Sequence, residues 1–303
     1  MRVLVLGSDG FVGKNLLEDL SRDFQCKGST RRKEILLTDE SRIHFDLTDK
    51  STWQSIIEFA PDCIVNCIVS GAIRTANDVK NTIDTNYIST IELFDFLAEQ
   101  LPHVYLVHIG SAFEYDQSIG GLTETSPCIP RTYYGISKYL TSQYLLNNNK
   151  LNDFTIIRSF NLFGPYDKEE KLIPYLICAQ RDKKPVALSG GQQERDYFYV
   201  KDLSQMISHL IRHKHLRVNT INAGLGNSLT LQKVAITLAK YIPTFEPSLW
   251  QWGKLPYREG EGKTFYNASS RLKDMNITFT EFDQAIKDTV MYYCAAKKTE
   301  KVC

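Results

Sequence analysis

No stretch of the sequence is apolar for long. The first hydrophobic run, residues 3–6, ends at Gly7, far short of the ~20 apolar residues a membrane-spanning helix needs and too brief for a secretory leader. Charge of one sign is also missing. With 36 Lys plus Arg against 35 Asp plus Glu, no overall field gathers nucleic acid or an anionic membrane, so an anionic ligand must be held by local groups. The seven cysteines (26, 63, 67, 128, 178, 294 and 303) contain no Cys-x-x-Cys pair, which argues against a disulfide framework; Cys63 and Cys67 read as small apolar strand residues. Internal repeats and low-complexity segments are absent. The expectation is a cytoplasmic chain with no metal, no nucleic-acid partner and no membrane association.

What remains is a sequence of 303 residues, 43% hydrophobic and 23% charged, enough to bury the core of one large unit or two domains. Apolar runs of strand length recur at residues 3–6, 63–69, 104–109, 155–159 and 219–222. Strands apolar on both faces are what a parallel sheet covered by helices requires, and helical spacing of apolar residues at 15–20, 53–59 and 85–97 supplies the covers. The fold class is therefore α/β, a doubly wound parallel sheet. After Gly164-Pro165 the rhythm breaks into short helices, prolines and glycine turns. Residues 1–165, with 197–224 returning to them, read as the first domain; 166–196 and 225–296 read as a smaller C-terminal lobe, and 297–303 as a fraying tail.

Gly7-Ser8-Asp9-Gly10-Phe11-Val12-Gly13 joins the first strand to the first helix. Gly7 permits a tight turn, Gly10 lets backbone approach a pyrophosphate, Gly13 lets helix and strand pack closely, and the helix N-terminus favours the phosphates. This is the fingerprint of a Rossmann dinucleotide site, lined by Gly7, Asp9, Gly10, Phe11, Val12 and Gly13. The second strand should end in an acid for the ribose 2′-hydroxyl of NAD, or near an arginine for the 2′-phosphate of NADP. Here Thr30-Arg31-Arg32 offers no acid and two guanidiniums, favouring NADP(H) over NAD(H). Asp46, after a short strand at 43–45, is a candidate acceptor for the adenine amino group, with a helix-capping role as its alternative.

Tyr134 and Lys138, four residues apart, share one helix face after Pro130. An ammonium beside a phenol is expected to lower the phenol's pKa toward neutrality, and Ser111, at the end of the strand near 104–109, can hydrogen-bond the same oxygen. Only Tyr134, not Tyr133, has lysine four residues on.

With the glycine loop, Ser111 with Tyr115, and Tyr134 with Lys138 in this order, the chain resembles an extended short-chain dehydrogenase/reductase of the nucleotide-sugar epimerase/dehydratase group. Further matches are Asp46-Leu47-Thr48-Asp49, Pro61-Asp62, Asn86, Arg158-Ser159-Phe160-Asn161 with Gly164-Pro165, Arg195-Asp196-Tyr197 with Val200 and Asp202, and Tyr257-Arg258. The resemblance implies an NAD(P)-dependent oxidoreductase in which Tyr134 moves a proton at the sugar oxygen, Lys138 binds the nicotinamide ribose, and Ser111 orients the reacting carbonyl. Leu47 and Ile68 join the cofactor contacts. Ser111, Asn161, Arg195 and Arg258 meet a nucleotide-diphosphate sugar, the arginines as bidentate partners of its diphosphate. A homodimer through helices at 85–97 and 134–146 is a further possibility carried by the relatives.

Dehydratases of the group carry an acid pair directly after the residue matching Ser111; this chain has Ala112-Phe113, and Glu114, one place further, is expected to point the other way. Two reactions remain. Thr30-Arg31-Arg32 suits NADPH as a consumed reductant, giving a reductase of a 4-keto-6-deoxy sugar carried on a nucleotide diphosphate, as in bacterial surface-polysaccharide pathways. The alternative is an NAD-dependent nucleotide-sugar 4-epimerase. A non-catalytic nucleotide-binding protein would have no use for Ser111, Tyr134 and Lys138, and a reductase of small carbonyls none for Arg195 and Arg258. One departure from the group stands at Asn66-Cys67-Ile68-Val69-Ser70-Gly71, where a histidine and small alanines are more usual.

Overall fold

The computed structural model describes residues 1–72, 78–148, 150–257 and 262–295. Its centre is a seven-stranded parallel sheet made of β1 (Arg2–Leu6), β2 (Gln25–Thr30), β3 (Arg42–His44), β4 (Cys63–Asn66), β5 (Tyr105–Ser111), β6 (Phe154–Ser159) and β7 (Thr220–Ala223), in the spatial order β7-β6-β5-β4-β1-β2-β3. The Rossmann-type α/β expectation holds.

Strand alternation decides which side chains meet which helices. Val3, Val5, Val65 and Val107 face one way and pack with Leu16 and Leu20 of the Phe11–Leu20 helix and with Leu203, Met206 and Leu210 of the Val200–Arg212 helix. Their neighbours Leu4, Leu6, Ile64 and Leu106 face the other way, onto Ile56, Leu93 and Leu97. Both faces are thus dry, and the hydrophobic run in each strand is the consequence.

A second sheet forms around Glu194–Tyr199, which pairs antiparallel with Ser228–Thr230 and parallel with Thr264–Asn267 and Asn161–Phe163; Gly121–Leu122 extends the Thr264–Asn267 edge. The helices Leu172–Arg181, Leu231–Tyr241 and Phe282–Ala295 bury Leu176, Leu238, Ile286 and Val290 together with Phe163 and Tyr197 in a core of their own. Several details differ from the sequence reading: residues 161–163 and 197–199, read with the first domain, pair with each other at this second sheet. The run at 63–69 is strand only as far as Asn66, because the chain turns out of the sheet there. Leu272 and Met275, read as part of the lobe, pack into the core under the central sheet.

The strand order reverses between β1 and β4. In open parallel sheets that reversal leaves a crevice beyond the carboxyl ends of the strands, and Gly7, Ser111 and the chain after Asn66 all lie at those ends.

Candidate active site

The glycine loop is built as its spacing predicts. Gly7 has φ +78°, and a Cβ there would lie 3.0 Å from the backbone of Cys67 and Ile68, so the turn tolerates little else. A Cβ on Gly13 would come within 2.3 Å of the Gly7 carbonyl oxygen and 2.6 Å of Ser8 Cα, which makes Gly13 the residue that lets helix approach strand. Gly10 is different: a Cβ there would meet only the Gly7 oxygen at 3.4 Å. Packing within the described protein therefore does not require glycine there. Gly10 also caps the Phe11–Leu20 helix without a side-chain hydrogen bond, leaving the first N–H groups for an anion. The cradle fits a dinucleotide pyrophosphate. Val12 packs against the core, and the Ile68 N–H donates to Asn66 Oδ1 at 3.1 Å.

At the carboxyl end of β2, Thr30 Oγ1 donates to Asp9 Oδ2 at 2.8 Å. Asp9 Oδ1 lies 3.4 Å from a guanidinium nitrogen of Arg32 and 3.4 Å from one of Arg42. Arg42 was not singled out in the sequence. It reaches Asp9 because β3 pairs with β2 in the register Gly28 to Arg42. Arg31 is exposed and makes no ion pair among the described residues. The Asp46 carboxylate accepts from the N–H (2.9 Å) and hydroxyl (2.8 Å) of Thr48, holding a turn; the cap of the following short helix is Asp49 instead. Leu47 is buried beside Phe45 and Trp53.

Ser111 ends β5, and the Tyr133–Asn147 helix, capped by Thr132 accepting from the Gly135 N–H at 3.0 Å, presents Tyr134 and Lys138 to it. The Ser111 hydroxyl bonds toward the Tyr134 phenol and lowers its pKa, but burial dominates and pushes it up to about 12. This corrects the expectation that Lys138 holds the phenol near neutrality. The lysine ammonium instead donates to the Ile109 carbonyl at 2.8 Å, and burial brings Lys138 down to about 8. Desolvation penalises both charged forms. At neutral pH the pair therefore stands as a neutral phenol beside a largely protonated ammonium.

Glu114 turns away from the cleft, as expected. Its Oε1 accepts from the Ser111 N–H at 2.8 Å and its Oε2 from Arg158 Nε at 2.9 Å, with both side chains buried. Arg158 also stacks over the Tyr115 ring at 4.5 Å. The position thus serves to fix Ser111. Ala112 and Phe113 carry no acid in its place.

Asn86 sits in a π-helical turn, Asp84–Ile88. Its side chain accepts from the Ser70 N–H (2.7 Å) and donates to the Ser70 carbonyl and the Ser137 hydroxyl (2.9 Å each), clamping the chain after β4 to the helix that carries Tyr134. The departure at residues 66–71 is therefore held from the side, with Gly71 at φ +74° packed against Thr82.

On the lobe side, Asn161 donates to the Asp196 carbonyl at 3.1 Å. Arg195 donates to the carbonyls of Glu194 (2.7 Å) and Lys263 (3.1 Å) and stacks on Phe265 at 4.6 Å. Phe265 meets Phe113 edge-on at 5.9 Å, and Phe113 meets Tyr134 at 6.2 Å, so Arg195 is joined to the Tyr134 phenol through rings. Arg258 lies outside the described residues. Among the described residues no group of His, Cys, Asp and Glu is placed to hold a metal ion, and no helix is long and apolar enough to cross a membrane.

A model of the NAD dependent epimerase/dehydratase family matches residues 3–224. The chain is 27% identical to GDP-6-deoxy-D-talose 4-dehydrogenase of Aggregatibacter actinomycetemcomitans over 76% of each protein. It is 22% identical to CDP-abequose synthase of Yersinia pseudotuberculosis over 70% of this chain and 73% of that one. In fold it superposes on UDP-glucose 4-epimerase of Thermus thermophilus in complex with NAD, with a TM-score of 0.84 and 20% identity, covering 98% of this chain and 100% of that one.

Proposed function

Because the chain belongs to the NAD dependent epimerase/dehydratase family, we propose that it reduces the C4 carbonyl of a 4-keto-6-deoxy sugar carried on a nucleotide diphosphate. The observation that carries this reading is the pairing of an assembled proton-transfer set, Ser111, Tyr134 and Lys138, with the absence of an acid at Ala112 and Phe113. Elimination of water needs an acid and a base next to the serine; Glu114, spent on the Ser111 N–H and Arg158, is neither. Transfer of hydride to a carbonyl needs only one proton donor and one oxyanion partner.

A nicotinamide cofactor, when bound, supplies the hydride. Tyr134, a neutral phenol with a pKa near 12, delivers the proton to the sugar oxygen. Ser111, its backbone fixed by Glu114, donates the hydrogen bond that meets the developing charge. Lys138 keeps a positive charge beneath the site, and Asn86 holds the wall formed by residues 67–71. Asn161, Arg195 and Arg258 meet the nucleotide sugar in this reading. The relative named as a 6-deoxy-talose 4-dehydrogenase supports redox chemistry at C4 of a deoxy sugar. Arg31 and Arg32 favour NADPH by sequence, but Asp9, 3.4 Å from Arg32, counts against it, so NADH serves this reduction equally.

A 4-epimerase is the second reading, favoured by one observation: a carboxylate, Asp9, does reach the end of β2 through Thr30, which suits an NAD regenerated in each turnover. The test is to supply nucleotide-diphosphate-linked 4-keto-6-deoxyhexoses with reduced nicotinamide dinucleotide. Stoichiometric loss of the reduced cofactor with formation of a 4-hydroxy sugar supports the reductase. Interconversion of C4 epimers of nucleotide hexoses without net cofactor turnover establishes the epimerase in its place.

A further inference from the structure

We propose that Asp9 is the residue that selects the dinucleotide, and that it selects NAD(H). The inference rests on the cleft taking a nicotinamide dinucleotide and is independent of which sugar is reduced. In dinucleotide folds of this topology the ribose 2′-hydroxyl is met by a carboxylate at the end of the second strand. That position is Thr30, which cannot accept as an anion. Its hydroxyl instead donates to Asp9 Oδ2 at 2.8 Å, so a carboxylate from the glycine loop is tethered at the strand end where the missing acid would be.

The surrounding charges agree with this. Arg32 and Arg42 are each 3.4 Å from Asp9 Oδ1. Arg42 is further engaged by Asp39 through Nε at 3.1 Å and by the Ser8 hydroxyl. Among these paired groups Arg32 and Arg42 balance Asp9 and Asp39, and the exposed Arg31 and Lys33 adjoin Arg32 in sequence. A 2′-phosphate, carrying roughly −1.5 to −2 at neutral pH by analogy with other phosphomonoesters, would have to enter beside a fixed carboxylate and compete with it for both guanidiniums. A 2′-hydroxyl needs only an acceptor. The Asp9 side chain is 32% exposed and a carboxylate has about four lone-pair sites, so an acceptor position remains with Thr30 and the arginines in place. Of the two arginines that favour NADPH in the sequence, Arg32 is, in the fold, a counter-ion of the residue that disfavours it, together with Arg42.

The experiment is equilibrium binding of NAD⁺ and NADP⁺ to the cofactor-free full-length protein by calorimetry at one ionic strength, with no sugar present. The wild-type chain is expected to bind NAD⁺ at least tenfold more tightly. Asp9→Asn keeps an acceptor for Thr30 but removes the charge, freeing Arg32 and Arg42; it should move the NAD⁺/NADP⁺ ratio at least tenfold toward NADP⁺, mainly by a gain in NADP⁺ affinity. Thr30→Val releases the tether and keeps the charge, so it should weaken NAD⁺ severalfold without improving NADP⁺. Tighter binding of NADP⁺ by the wild type, or a ratio unmoved within twofold in a folded Asp9→Asn variant, overturns the inference. If Asp9→Asn does not fold, the wild-type ratio and Thr30→Val decide it. Failure of both dinucleotides to bind the folded wild-type protein overturns the dinucleotide reading itself, a result distinct from a wrong preference.

Discussion

The Lys138 ammonium is bonded to the Ile109 carbonyl at 2.8 Å, one turn of helix from Tyr134 and at the buried end of β5. The bond anchors the lysine, but burial sets its titration, lowering it from 10.5 to about 8. Two opposite pH trends follow. Activity that depends on the ammonium is full well below pH 8, half lost near that value and gone well above it. Stability moves the other way: between about 8 and 10.5 the unfolded chain binds more protons at this residue than the folded one, so the penalty for burying the charge is relieved as pH rises. Initial rates of sugar reduction with saturating cofactor, measured beside denaturant midpoints over the same pH range, should show rates falling while the protein remains folded. Constant rates to pH 10 would remove Lys138's charge from the mechanism.

Tyr134→Phe deletes the proton donor and one hydroxyl while keeping the ring that meets Phe113 at 6.2 Å. Turnover should fall by ~10²–10⁴-fold, the usual range for loss of a general acid, with dinucleotide affinity changed by less than threefold. Steady-state kinetics with separate binding titrations check both parts, and a variant retaining a tenth of wild-type turnover would assign the proton to another group.

How far these features could be read from sequence depends on how local their causes are. The strands were legible because both faces of a parallel sheet are dry, and Val3 to Leu6 or Thr155 to Ile157 need no partner to declare it. The glycine loop and the Tyr134–Lys138 pair were legible because their geometry is set within a turn or two of chain. Arg42 was not, since only the pairing of β2 with β3 brings it to Asp9. The Glu114–Arg158 pair spans 44 residues, so the sequence could indicate where Glu114 did not point but not what it met. Gly121–Leu122 and Ser228–Thr230 are too short to show a period. The pKa of Tyr134 was misjudged for a related reason: charge proximity can be read from spacing, whereas desolvation depends on everything packed around it.

Gly13 and Gly10 should separate folding from ligand binding. An alanine at 13 places a methyl 2.3 Å from a backbone oxygen, forcing helix and strand apart; a loss of about 1–3 kcal/mol of stability is expected, together with loss of dinucleotide binding. An alanine at 10 meets only ordinary contact at 3.4 Å, at φ −86°, so the expected stability loss is only the cost of alanine at an N-cap, about 0.5–1 kcal/mol, while dinucleotide affinity drops at least tenfold. Denaturant unfolding and calorimetric titration of the two variants distinguish the roles, and equal loss of stability in both would mean Gly10 is needed by the fold rather than by the ligand.

Glu114 and Arg158, at 0% and 3% side-chain exposure, carry a different kind of dependence. Removing one member of a buried ion pair leaves the other charge without compensation, typically a loss of ~3–5 kcal/mol. Glu114→Ala also takes the acceptor from the Ser111 N–H, so it should be the more damaging change. Glu114→Gln keeps an oxygen for Ser111 and loses only the charge, which places it between Ala and wild type in stability. If the pair's value lies in matching rather than in net attraction, replacing both together, Glu114→Leu with Arg158→Met, should recover at least half of the stability lost in Glu114→Ala. It should not recover turnover, because the Ser111 backbone remains untethered. Unfolding midpoints and turnover for the three variants test this division: a double variant as unstable as Glu114→Ala would show that the ion pair itself stabilises the fold, and one with restored turnover would show that Ser111 needs no anchor.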